Sequence, residues 1–412
     1  MTGRAVDPLA RWAGLGAGSA IRLDEVEIRL VELELIEPVR TSRGEHRRRP
    51  VVLVRLSGTG NGVRVEGWGE CAALADASYD RENVDSAFST LERALAPALL
   101  SESRTEGQAG TTGTLPSMGA LRELRSRAPG APLAYAALEM AVADTHLRAR
   151  ETSLADLLGV SRDQGPVPVG AVVGEFGDDV HGLINRVDAL VDQGYTRVKM
   201  KIGHGADIEP IKAVRGAHPG LFLQADANED YTEADFDHLA ELDTYALACL
   251  EQPFAQDDLA THARLAKRIA TPICLDESLD GPEKVRSAVE MGACSVVCVK
   301  PSRLGGIGPA LEVIRDCAAQ SVPVWIGGMF ETGFARAVNT ALAAASGSPW
   351  PGDLSPAGSY LRPDVLPPAA EAHDPRRVVP SRAPGMGPAL DQAVVDRFTS
   401  RIVRFGPGSG PG

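Results

Sequence analysis

At 412 residues the chain exceeds the size at which a single hydrophobic core stops growing, so two domains are expected. Its 44% hydrophobic and 24% charged residues are ordinary globular usage, and no apolar run approaches membrane-spanning length. The net charge of −13 argues against a nucleic-acid-binding surface and favours a soluble protein.

The first stretch, MTGRAVDPLARWAGLGAGSA, lacks the apolar centre of a signal peptide. Residues 21–36 alternate well enough to be a strand, and 38–50 are polar and Arg-rich, which predicts a loop with Arg47–Arg49 solvated. VVLVRLSG, the turn GTGNG and VRVEGWGECAAL complete a three-stranded antiparallel meander over 21–74. Helical spacing follows over 82–100, then a Gly/Ser/Thr-rich surface insertion at 101–118, then an Ala-rich helix over 133–150. Residues 1–160 therefore read as an α+β domain.

From Val167 short apolar strands alternate with amphipathic helices. The strands begin near Val167, Arg197, Leu221, Leu247, Pro272, Ser295, Val322 and Trp350. Eight such units predict an α/β fold, a (β/α)8 TIM-like barrel over 161–359. VVGEFGDD is not the Gly-rich turn of a doubly wound sheet. Segment 360–412 is expected to return over the first domain. Six cysteines without a CxxC pair read as buried reduced thiols, which predicts the cytoplasm.

In RVKMKI (197–202) strand alternation puts Lys199 and Lys201 on one face and Val198, Met200 and Ile202 on the other. The next strand-like stretches deliver Asp226, Glu251, Asp276 and then Lys300, at steps of 25, 25, 25 and 24 residues from Lys201. Barrel chemistry sits at the C-terminal ends of strands, which all five residues occupy. Only six of the 42 basic residues are Lys, and Lys, unlike Arg, can give up its proton when its surroundings demand it. Three hard carboxylates without His or Cys suit Mg²⁺ or Mn²⁺. Glu277 is the neighbour of the Asp276 ligand. Lys201 and Lys300, on the second and sixth strands, face each other across the mouth. A carboxylate substrate would present its α-carbon between them. One lysine removes the α-proton, Lys199 and the metal stabilise the enediolate, and the other lysine serves the opposite face. Such a base is expected to have its pKa pushed down by the adjacent positive charge. Glu331, in GGMFETG, is either a polar partner at strand seven or a loop carboxylate.

VKMKIG, DAN, LEQP, CLDES, VKPSRLGG and WIGGMFETGFARA together resemble the enolase superfamily, muconate-lactonizing subgroup. GGMFETGFARA, PGDLS, TSRGE and EGWGEC more closely resemble the o-succinylbenzoate synthase / N-acylamino acid racemase family, with Ala335 departing from the Gly of its motif. The resemblance implies a capping domain, Mg²⁺ on Asp226, Glu251 and Asp276, and Lys201 and Lys300 as the acid/base pair. It also implies a loop Val39–Arg49, with Ser42 and Arg43, that closes over substrate. Asn228, Glu277, Gly328, Met329 and Glu331 are the further candidates around the pocket. The implied activity is a metal-dependent lyase that dehydrates a cyclohexadiene carboxylate to o-succinylbenzoate in menaquinone synthesis. Racemisation of N-acylamino acids on the same residues stays open. So does a dipeptide epimerase, although that would call for a DxD pair where Asp353-Leu354-Ser355 stands. A Schiff-base lysine at Lys300 is the reading from another class. The expected partners are a small carboxylate substrate and further copies of the chain, with no nucleic acid and no membrane.

Overall fold

The computed structural model describes residues 7–41, 44–77, 79–103, 113–174, 179–367, 374 and 376–406. Three long strands, β1 (Arg22–Thr41), β2 (Gly44–Gly60) and β3 (Val63–Cys71), form an antiparallel meander. Val26, Ile28, Val31 and Leu33 of β1 and Val51–Val54 and Leu56 of β2 are buried.

The described residues of the polar stretch 38–50 are strand rather than loop. β1 and β2 continue through it, with Val39 opposite His46, Arg40 opposite Glu45 and Thr41 opposite Gly44 after a register shift beyond Glu34. Backbone pairing needs no apolar side chains, so a polar hairpin carries no hydrophobic signal. Arg48 is exposed and pairs with Glu32 at 3.0 Å, but Arg49 is buried, contrary to the solvated reading.

Helix α1 (Pro132–Ala149) starts on a proline at its first turn, where the missing N–H costs nothing. All its residues from Leu133 to Leu147 are buried, because β3 packs on one side and the barrel on the other. Gly67 and Gly69 of β3 make the close approach to this helix. A Cβ on Gly69 would strike Ala137 O and come within 2.7 Å of Ala141 N. Gly69→Ala is therefore expected to destabilise the protein by about 1–3 kcal/mol, read as a lowered melting temperature. A wild-type melt would mean that the helix can move aside.

The second sheet is parallel and in sequence order: β4 (Ala171–Val173), β5 (Arg197–Lys201), β6 (Phe222–Asp226), β7 (Leu250–Glu251), β8 (Ile273–Leu275), β9 (Val296–Val299) and β10 (Val324–Ile326). Helices between the strands include Val180–Asp192, Ile208–Ala217, Leu259–Ala266, Pro282–Glu290 and α2 (Ile307–Ala319), and α3 (Gly333–Ser346) follows β10. The eighth strand expected near Trp350 is reduced to bridging hydrogen bonds. Gly170 N donates to Gly352 O at 2.9 Å and Asp353 N to Ile326 O at 3.0 Å, so this segment links β4 to β10. Pro351 has no N–H to give to a regular ladder. The last strand, β11 (Thr399–Phe405), pairs antiparallel with β1, from Val26 opposite Phe405 to Val31 opposite Thr399.

Buried carboxylates join the two sheets' units. Glu139 of α1 accepts from Ile307 N (2.5 Å) and Gly308 N (3.2 Å) at the start of α2. Glu70 of β3 accepts from Thr332 N (2.9 Å) and the Thr332 hydroxyl at the start of α3. Each satisfies free N–H groups of a helix end. Burial pushes both carboxyls up to about 7, against those hydrogen bonds. All six cysteines are free and buried. No helix among the described residues is long and apolar enough to cross a membrane.

Candidate active site

The C-terminal ends of β5 to β9 bring the lysines and carboxylates into one buried cluster. Register explains it: Lys201 lies opposite Asp226, and Asp226 opposite Glu251, across adjacent parallel strands. Asp226, Glu251 and Asp276 are at most 2% exposed. Lys199 reaches Asp353 at 2.7 Å, Asp226 at 3.1 Å and Glu251 at 3.3 Å, with its ammonium 4.9 Å from the centre of the Trp325 ring. Lys201 contacts Asp226 at 2.7 Å and Asn228 Oδ1 at 2.5 Å, and Asn228 in turn donates to Glu277 at 2.8 Å. On the other flank Lys300 donates to Asp276 at 2.5 Å and to the Tyr79 hydroxyl. Gln252, in a left-handed backbone conformation, accepts from Asp276 N (3.0 Å) and Ser278 N (3.2 Å) and fixes the turn that aims Asp276.

The electrostatics follow from these contacts. Burial alone would pull Lys199 and Lys300 down. Asp353, Glu251 and Asp226 around Lys199, and Asp276 and Tyr79 around Lys300, outweigh it and hold both well above the usual lysine range. Asp276 sits directly on the Lys300 ammonium. Asp276 is held well below the carboxylate range by Lys300 and Arg303 despite its burial. Burial and the neighbouring Asp226 push Glu251 up to about 8, and burial and Asp276 push Glu277 up to about 7. Glu277 Oε2 is buried with no hydrogen-bond partner.

A divalent cation fits this cluster. Acidic groups crowded enough to raise one another, and an unpaired buried carboxylate oxygen beside them, are what a hard cation would relieve. The expected ligands Asp226, Glu251 and Asp276 are brought together, but the tightest group differs. Glu251, Asp276 and Cys298 each offer a donor atom, all within 4.8 Å of one another, while Asp226 leans on the two lysines of β5.

Asn228 and Glu277 belong to the cluster. Gly328, Met329 and Glu331 lie in the loop after β10. Gly328 leaves room for Arg336 and for Asp353 O, which a Cβ would approach to 2.8 Å. Glu331 is a buried loop carboxylate held by Arg336 at 2.9 Å and by Asn339 at 2.9 Å. Ser42 and Arg43 lie outside the described residues, as do the side chains of the rest of residues 39–46.

Three residues at the site were missed by sequence reasoning. Arg303 donates to Asp276 Oδ1 and, at 3.1 Å, to Asp80. Its signal was available, since VKPSR places it three residues after Lys300 and a helical turn follows. Tyr79 arrives on a loop beyond β3 with no periodicity to announce it, and its hydroxyl donates to Asp276 Oδ2 at 2.8 Å. Asp353 enters the sequence reading only as the first residue of an incomplete DxD pair, with Ser355 where the second acid would stand. It is paired with Arg197 and Lys199 and therefore offers no free carboxylate for a substrate ammonium.

Residues 24–159 match the mandelate racemase / muconate lactonizing enzyme N-terminal domain, and residues 182–394 match the enolase C-terminal domain-like family. The chain is 40% identical to an N-succinylamino acid racemase of an Amycolatopsis species, covering 94% of this chain and 100% of that one. It is 36% identical to an o-succinylbenzoate synthase of Listeria innocua, covering 89% and 94%. A solved enolase-superfamily structure from Listeria innocua superposes with a TM-score of 0.85 at 33% identity, covering 94% of this chain and 100% of that one. With the lysines and carboxylates at the strand ends of a parallel barrel sheet, these likenesses agree: the chain belongs to the enolase superfamily, in its o-succinylbenzoate synthase / N-acylamino acid racemase family.

Proposed function

We propose that the protein is a divalent-metal-dependent lyase, an o-succinylbenzoate synthase serving menaquinone synthesis in the cytoplasm. In this reading Mg²⁺ or Mn²⁺ is held by Asp226, Glu251 and Asp276. The antiparallel unit, residues 1–160 with 360–412, caps a barrel formed by 161–359. The observation that carries the reading is a lysine on each flank of one buried carboxylate cluster, Lys201 on Asp226 and Lys300 on Asp276.

The bound cation would draw charge from the substrate carboxylate and make its α-proton more acidic. Lys201, whose side chain is 32% exposed and steadied by Asn228, takes that proton and can pass it to solvent. Lys300, buried between Asp276 and Tyr79, stays cationic and supports the negative charge that develops on the opposite face. Lys199 balances Asp226, Glu251 and Asp353 and so keeps the carboxylates in register.

A second reading, racemisation of N-succinylamino acids, is favoured by one observation. Relatives at 40% and 39% identity, from Amycolatopsis and Thermus thermophilus, carry that name. Racemisation would use Lys300 as a second acid/base. Assay of the purified protein on both substrates separates the two readings.

Removing the metal tests what they share. Excess chelator is expected to abolish activity, and Mg²⁺ or Mn²⁺ to restore it. Asp226→Asn is expected to lower activity by about a thousandfold with an unchanged fold by circular dichroism. Full activity in chelator, with no metal in the purified protein, would overturn the assignment.

A further inference from the structure

Cys298 stands on β9 two residues before Lys300 and is 1% exposed. Strand alternation gives the two side chains one face. Both press on the space a side chain at Gly327 would fill, which Cys298 Sγ would meet at 2.7 Å and Lys300 Cε at 2.9 Å. Cys298 Sγ, an oxygen of Glu251 and an oxygen of Asp276 all lie within 4.8 Å of one another. Asp226 is drawn aside by Lys201 at 2.7 Å and Lys199 at 3.1 Å. Glu251 and Asp276 are thus common to two donor sets. One is all oxygen and includes Asp226; the other has a sulfur in its place.

Coordination chemistry separates the two sets. Mg²⁺ wants six hard oxygens in an octahedron and leaves a thiol alone. Cd²⁺, Zn²⁺ and Co²⁺ accept thiolate sulfur and lower coordination numbers. Metal–sulfur bonds of about 2.3 Å and metal–oxygen bonds of about 2.0–2.2 Å put donor atoms roughly 3.5 Å apart, so closing this group needs side-chain movements of only about 1 Å.

We propose that Cys298, Glu251 and Asp276 form a thiophilic metal position that overlaps the all-oxygen one, so that a soft divalent ion displaces the hard ion and inhibits the enzyme. This rests on the metal reading above. In the binding step the Cys298 S–H bond breaks, its proton leaves to the buffer, and the sulfur lone pair forms the bond to the metal. No electron is transferred.

The probe is Cd²⁺ titrated into chelator-stripped full-length protein, followed by the sulfur-to-metal charge-transfer absorption in the ultraviolet. Wild type is expected to show a saturating band, and Cys298→Ser and Cys298→Ala to lack it. Cys249→Ala is expected to keep it, although Cys249 and Cys274 also lie in the barrel interior beside Cys298. Saturating Mg²⁺ is expected to raise the Cd²⁺ midpoint by about tenfold or more. A band that survives in Cys298→Ser, that disappears in Cys249→Ala, or that is indifferent to Mg²⁺ would overturn the proposal, as would the absence of any band. The two readings fail separately. Mg²⁺-dependent activity with no sulfur–cadmium band overturns only this inference, whereas full activity in chelator overturns the metal-dependent function whatever Cd²⁺ does.

Discussion

Lys201→Ala is expected to abolish turnover, with a fall of about a thousandfold or more, because it removes the solvent-reached base beside Asp226. Lys300→Ala should be comparably severe, since it strips Asp276 and Tyr79 of the cation they share. Arginine is the sharper replacement. It keeps the charge but cannot exchange a proton near neutral pH. If dehydration needs one base and one supporting cation, Lys300→Arg retains much of the lyase activity, within about tenfold, while Lys201→Arg does not. Racemisation needs proton removal on one face and return on the other, so either arginine variant should abolish it. Solvent deuterium exchange at the α-carbon of a single enantiomer reads the faces one at a time. Each arginine variant should lose exchange from one face and keep it from the other. Exchange untouched by both changes would place the base elsewhere. None of these variants should weaken metal retention in proportion to the activity lost.

The lysines and carboxylates were legible in the sequence because a (β/α)8 chain repeats one structural unit, and a repeat writes itself as spacing. Lys201, Asp226, Glu251, Asp276 and Lys300 each stand at the C-terminal end of a strand; the ladder sets Lys201, Asp226 and Glu251 side by side, and Asp276 lies two residues beyond Cys274, the partner of Glu251. What escaped came from places without a period. Tyr79 belongs to a loop of the antiparallel unit and meets Lys300 only through tertiary packing. The expected eighth strand failed at Pro351 and Gly352, yet the same segment still delivers Asp353 to Arg197 and Lys199. The sequence makes Cys298 one of the buried reduced thiols. That fits its apolar neighbours Val297 and Val299 but misses that alternation turns it inward with Lys300. The opposite case is Arg49, where charge does not mean exposure. A guanidinium can be buried if backbone carbonyls surround it, and no sequence pattern distinguishes such an arginine from a solvated one.

Arg49→Met is expected to destabilise the protein by about 3–5 kcal/mol. The guanidinium donates to Pro50 O at 2.5 Å, Ala73 O at 2.6 Å, Ala72 O at 2.8 Å, Phe330 O at 2.9 Å and Met329 O at 3.3 Å. It is 3% exposed, and burial pulls its pKa below the usual arginine value, with Glu70 opposing that pull. Methionine matches the apolar stem but leaves these buried carbonyls without their donor, at about 1–3 kcal/mol for each one that water cannot reach. Arg49→Lys should recover only part of the loss, because a single ammonium cannot span the fork. The carbonyls belong to two separate parts of the structure. Ala72 and Ala73 follow β3 and lead toward Tyr79, while Met329 and Phe330 follow β10 at the barrel mouth. Arg49 therefore pins the antiparallel unit to the rim of the candidate active site. At a temperature where the variant is still folded, kcat/KM should fall by about tenfold, as the segment carrying Tyr79 loses its anchor. Thermal melts of both variants, with kinetics measured well below the transition, test the two claims separately. A wild-type melt for Arg49→Met would show that the carbonyls find other donors. A lowered melt with unchanged kinetics would confine Arg49 to holding the fold and leave the positioning of Tyr79 to its contacts with Lys300 and Asp276.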